Sequence, residues 1–116
     1  EERAKYNVAP LKWDDSLAAL AESHCEDMID RNFFAHNTPD GKTPFDRMKA
    51  AGISYSSAGE NIAAGQSSPQ NVMDSWMNSP GHRKNILNPD FEYIGVGLAR
   101  GGSYGIYWAQ EFATFK

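Results

Sequence analysis

The last third of the chain alternates. Ile94, Val96 and Leu98 fall on one face before a Gly101-Gly102 turn, and Ile106, Trp108, Gln110 and Phe112 share one face after it. A period of two sends successive side chains to opposite sides of an extended backbone, so the segment predicts a β-hairpin. One face of that hairpin is strongly apolar and has to be covered. What precedes it in the chain must supply the cover.

The preceding residues supply helices. WDDSLAALAESHCEDMIDRN (13–32) places Leu17, Leu20, Ala21, His24, Met28 and Ile29 at helical spacing, with Asp14 and Asp15 to cap the start and Asn32 as a left-handed stop. A turn at Pro39-Asp40-Gly41 leads to a short second helix, capped by Thr43, opened by Pro44 and stopped by Gly52. The stretch 54–68, SYSSAGENIAAGQSS, is rich in Ser and Gly and reads as loop or irregular strand. Ser68 and Pro69 then start a third helix with Val72, Met73, Trp76 and Met77 on its apolar face, which Pro80-Gly81 should end. The first residues, EERAKYNVAP, resemble the tail of a helix that begins upstream. Helices followed by strands predict an α+β domain with helices laid over an antiparallel sheet.

At 116 residues the chain holds one domain, 1–116, with one core. A net charge of −4 and a pI near 5.2 exclude a nucleic-acid footprint, which needs clustered cations. No run approaches the length of a membrane span, and no signal peptide or lipidation motif is present in the residues given. The single cysteine, Cys25, rules out an intrachain disulfide and sits on the buried side of the first helix, where an unreactive thiol is expected.

Three histidines and one glutamate are candidates for chemistry. His24 lies on an apolar stripe and reads as a core histidine with one hydrogen-bond partner. His36 in FFAHNTPDG and His82 in NSPGHRKNIL each follow a predicted helix closely, and each also fits a surface-loop residue. Glu60, between Gly59 and Asn61, fits either a solvated loop acid or one held by close backbone approach. No His-Glu-x-x-His helix, Gly-x-Ser-x-Gly elbow or phosphate loop occurs.

Five blocks in order, FFAHNTPDG, AGENIAAG, VMDSWMNSPGHRKNIL, YIGVGL and YWAQEFA, resemble the bacterial branch of the CAP superfamily (cysteine-rich secretory proteins, antigen 5, pathogenesis-related 1), from about Leu11 to Phe112. The resemblance implies an αβα sandwich with a small antiparallel sheet between helical layers. It also implies that His36, Glu60 and His82 converge on one open cleft, with the Pro-Gly turn aiming His82. The fourth cleft acid of eukaryotic members has no counterpart in WMNSPG, and their disulfides are missing.

Two neutral imidazoles and a carboxylate suit zinc or another divalent metal, with water in the open position. His36, His82 and Glu60 are therefore the expected metal ligands, Glu60 either completing the coordination or orienting one imidazole. The expected molecule is a secreted or cell-surface, monomeric, non-enzymatic module that binds a small ligand, a divalent metal or a cell-surface component. Two alternatives stand beside it: a metal-dependent hydrolase with Glu60 as base, and a surface interaction domain whose cleft is vestigial.

Overall fold

The computed structural model describes residues 2–115. In chain order its elements are α1 (Glu2–Lys5), β1 (Lys12–Trp13), α2 (Asp15–Asp30), α3 (Pro44–Ala50), β2 (Tyr55–Ala64), α4 (Pro69–Met77), α5 (Pro80–Leu87), β3 (Tyr93–Gly101) and β4 (Gly105–Phe115). The sheet order is β1-β3-β4-β2, which puts β4 inside and leaves β2 as an edge.

The hairpin forms as the alternation predicts, with Ile94 opposite Phe112 and Leu98 opposite Trp108. On one side of the sheet, Trp108, Phe112 and Ile106 pack against Trp76 and Val72 of α4 and Ile86 of α5. On the other, Tyr107 and Ala109 meet Ala21, Cys25 and Met28 of α2, while Ala113 meets Leu17 of α2 and Met48 of α3. Helices thus cover both faces, and the chain is an αβα sandwich with a mixed α+β architecture. Cys25 is buried and unpaired, and burial pushes its thiol up to about 12.

Contact between α2 and β3 is unusually close because β3 offers glycines toward the helix. A Cβ at Gly95 would stand 2.0 Å from the Ala18 nitrogen, and one at Gly97 would stand 2.3 Å from the Glu22 nitrogen. Backbone therefore lies directly on backbone, and no other residue fits there.

Local capping chemistry sets the helix ends where the sequence places them. The Asp14 side chain accepts from the Leu17 amide, Thr43 and Asp46 form a reciprocal capping box, and Ser68 accepts from the Asn71 amide. Asn32 takes φ 55° just past α2.

The Ser/Gly-rich stretch 54–68, expected as loop or irregular strand, is mostly strand: Tyr55–Ala64 forms β2, paired antiparallel to β4 with a register shift between Tyr55 and Ser57. Two expectations are corrected. Pro80-Gly81 does not close the third helix into a turn. Pro80 instead opens α5 at its first position, where its fixed φ and missing N–H cost nothing. His82 consequently sits in the first turn of a helix rather than in a loop. The sheet is also not wholly antiparallel, since β1 pairs parallel with β3.

Candidate functional site

The open edge of the sheet carries a cleft of about 450 Å³. Ile62, Ala63 and Ala64 of β2 line it, with Phe34–His36 after α2 on one side and Trp76, Ser79 and His82 of the α4–α5 layer on the other. Two histidines remote in sequence and carried by opposite layers therefore face one space. They meet because β2 is the edge strand, so both layers overhang the same border.

Glu60 does not line this cleft. Its side chain is 1% exposed, and it points to the side of the sheet that α2 and α3 cover. Its Oε1 accepts from His36 Nδ1 at 2.8 Å and from an Arg47 nitrogen at 3.2 Å, while Oε2 accepts from the other Arg47 nitrogen at 3.0 Å. Arg47 also donates to the His36 carbonyl at 2.7 Å, so one guanidinium holds both the histidine's backbone and its carboxylate partner. A carboxylate only accepts, so His36 presents Nδ1–H to Glu60 and leaves Nε2 free. Glu60 thus fixes the tautomer and the ring plane.

His82 is fixed by a different group. Its Nδ1 lies 2.8 Å from Ser79 Oγ, in the acid-free WMNSPG segment. Burial, and then the neighbouring His36, push its pKa below the usual histidine range, so it is neutral at neutral pH. His24, 1% exposed, donates Nε2–H to the Ala35 carbonyl at 2.9 Å and is lowered chiefly by burial. It supports the loop that carries His36, as a core histidine with one partner would.

The Gly59-Glu60-Asn61 block links the two histidines through the sheet. A Cβ at Gly59 would meet the Phe91 ring at 2.9 Å. Asn61, fully buried, points to the opposite face from Glu60 and donates to the His82 carbonyl at 3.1 Å and to Gln110 Oε1 at 3.0 Å. Its Oδ1 accepts from Asn85 Nδ2 at 2.9 Å. Consecutive residues of one strand therefore hold His36 on one face and α5, with His82, on the other.

Sequence reasoning misses Arg47 and Glu111. Glu111 faces Glu60 across the β2–β4 ladder and is fully buried, and among the described residues neither of its oxygens has a well-formed hydrogen bond. Arg47 stands 3.8 Å from it, farther than from Glu60. One guanidinium cannot neutralise two buried carboxylates, so one of the pair carries a proton. Burial and the adjacent Glu60 push Glu111 well above the carboxylate range, which makes it the neutral partner. Burial also raises Glu60, but contacts with Glu111, His36 and Arg47 outweigh it and hold that carboxyl at about 2. An acid within an otherwise apolar strand, YWAQEFA, is the signal that marks Glu111. Arg47, in an ordinary amphipathic helix, leaves none.

Among the described residues, no three His, Cys, Asp or Glu side chains gather as a ready metal-ligand set. The donors that fit an ion are the two imidazoles, with Glu60 engaged behind His36.

Comparison with known proteins bears on the whole arrangement. The sequence profile of the cysteine-rich secretory protein family, CAP, matches residues 1–112. An uncharacterised Bacillus subtilis protein, YkwD, is 51% identical over 111 residues, 96% of this chain and 42% of its own length. An extracellular protein containing a SCP domain from Bacillus anthracis superposes with a TM-score of 0.85 at 38% identity, over 97% of this chain and 36% of the other. An outer surface protein of Borrelia burgdorferi gives 0.90 at 25% identity, over 99% of this chain and 85% of its own. The chain spans less than half the length of the first two.

Proposed function

This chain belongs to the cysteine-rich secretory protein (CAP) family, and on that footing we propose that it is a non-enzymatic binding module working outside the cell or at its surface. Its cleft takes a small ligand or a divalent metal through His36 and His82. One observation carries the reading: two imidazoles from opposite layers face one open space, and each has its other ring nitrogen already committed. Such fixed partners are what a binding site built from remote segments requires. The extracellular and outer-surface descriptions of two similar structures support the location, and no helix of the described residues is long and apolar enough to cross a membrane.

Zinc or a similar ion would be held by the free nitrogens of His36 and His82, with Glu60 orienting the first ring. It would supply a positive centre for a ligand's oxygen or nitrogen. The hydrolase alternative is disfavoured by Glu60 itself. A general base needs an oxygen that reaches substrate and a pKa near the working pH. Glu60 is shut away, bonded to Arg47, and held far below that range.

Zinc titration by calorimetry tests the proposal. Binding is expected at about pH 7.5 and weaker at about pH 5.5, since the imidazoles must shed their protons to bind. A His36→Ala, His82→Ala double variant should lose it. Equal binding at both pH values, or in the double variant, would refute the paired-histidine site.

A further inference from the structure

Beside the two histidines, the cleft runs into an aromatic platform that the proposed site leaves unexplained. Phe34, which lines the cleft, lies 5.9 Å from Tyr104 on the β3–β4 turn, ring centre to ring centre. Both rest against buried Tyr107, at 6.4 and 5.8 Å. Yet Phe34 and Tyr104 are themselves 44% and 57% exposed. Ser103 donates to the Asn32 side chain at 3.4 Å, tying the turn to the end of α2. Two exposed rings on a rigid base form a surface that water covers poorly and a partner can cover well.

The chemistry of the cleft narrows the partner. Among the described residues no Lys, Arg, Asp or Glu lines it, so the protein itself offers no formal side-chain charge to pair with a phosphate, a carboxylate or an ammonium group. Uncharged hydrogen-bonding groups are present instead: the two imidazoles, the Ser75 and Ser79 hydroxyls and the Gln66 amide. Gln66 donates to Ser75 Oγ at 3.4 Å, and its own side-chain oxygen has no partner among the described residues. The ligand must offer hydroxyls or amides without net charge, and a flat C–H face for the rings.

We propose that the cleft and its Phe34–Tyr104 platform bind a strand of uncharged polysaccharide. A pyranose ring has the required amphiphilicity. Its axial C–H groups carry slight positive charge and lie on the negative face of an aromatic ring, while its rim of hydroxyls donates and accepts. A fatty acid would leave the free ring nitrogens of His36 and His82 unpaired in the cleft, a loss for each. A peptide without proline has no flat C–H face of that kind. β2 lines the cleft and is an edge strand, so no further strand closes that side against a polymer. The inference rests on the proposed binding site at His36 and His82 and adds its ligand class.

The test is a two-dimensional NMR titration of the intact domain with cellohexaose, maltohexaose and fully N-acetylated chitohexaose at millimolar concentration. Sodium dodecanoate and an uncharged Ala/Ser hexapeptide serve as competing probes. At least one hexasaccharide is expected to shift the Ala35, Ala63 and Ser75 amides and the Phe34 and Tyr104 ring signals. Phe34→Ala and Tyr104→Ala, both surface changes, should each weaken that binding at least about tenfold, and Tyr104→Ala, outside the cleft lining, should leave zinc binding intact. Cleft shifts from none of the three sugars, undiminished binding in both variants, or preferential binding of dodecanoate or the peptide would overturn the glycan assignment. Zinc binding that persists alongside any of those results would leave the histidine site standing, so the two ideas fail separately.

Discussion

Glu60 and Glu111 are the same amino acid in neighbouring places with opposite charge states. Arg47 decides between them by standing nearer Glu60. Their linkage to pH runs in opposite senses. Glu111 has a folded pKa above its unfolded value, so its stabilising share is complete below the ordinary carboxyl range and fades as pH rises through the folded value. Glu60 is depressed, so its share is present above that range and is lost as pH falls toward about 2. Glu111→Gln, which keeps shape and neutrality, is expected to cost no more than about 1 kcal/mol near neutral pH. It should also remove the decline expected of the parent as pH rises through the folded value of Glu111. Glu60→Gln leaves Arg47 without its counter-charge and should cost about 3–5 kcal/mol. Urea unfolding across a pH series measures both. A Glu111→Gln variant as damaged as Glu60→Gln would show that Glu111 is ionised.

Elements differ in how much of them can be read without coordinates. The starts of α2, α3 and α4 are legible because a cap is local: Asp14, Thr43 and Ser68 each reach an amide three residues on. β2 is not legible. Glu60, Asn61, Ile62 and Ala63 are all buried, so no alternation of apolar and polar marks the strand, and its pairing comes entirely from β4. The His36–His82 meeting is legible only through the resemblance, since it depends on β2 lying at the edge. The α2–β3 contact is hidden for another reason, as a glycine's value there is the side chain it lacks. Gly95→Ala tests it. The added methyl would fall on the Ala18 backbone, so α2 must lift from the sheet, at a cost of about 3 kcal/mol or more by chemical denaturation. A variant within about 0.5 kcal/mol of the parent would mean that α2 already rides higher.

At the scale of the whole molecule, β4 holds the sandwich together. It pairs with β2 on one side and β3 on the other, and its two faces anchor both helical layers. The alternation in sequence reveals this strand but not its central rank, which is a fact of topology. A fragment ending at residue 104 contains every other element, yet it should give no near-ultraviolet circular dichroism and no cooperative melt. A folded fragment would contradict the rank assigned to β4. The strand that every other part needs is also the last of the described elements to be synthesised. Helices and strands that have already left the ribosome have nothing to close on until it arrives, and the pairing of Tyr55 with Phe115 spans more than half the chain. Folding therefore waits for synthesis.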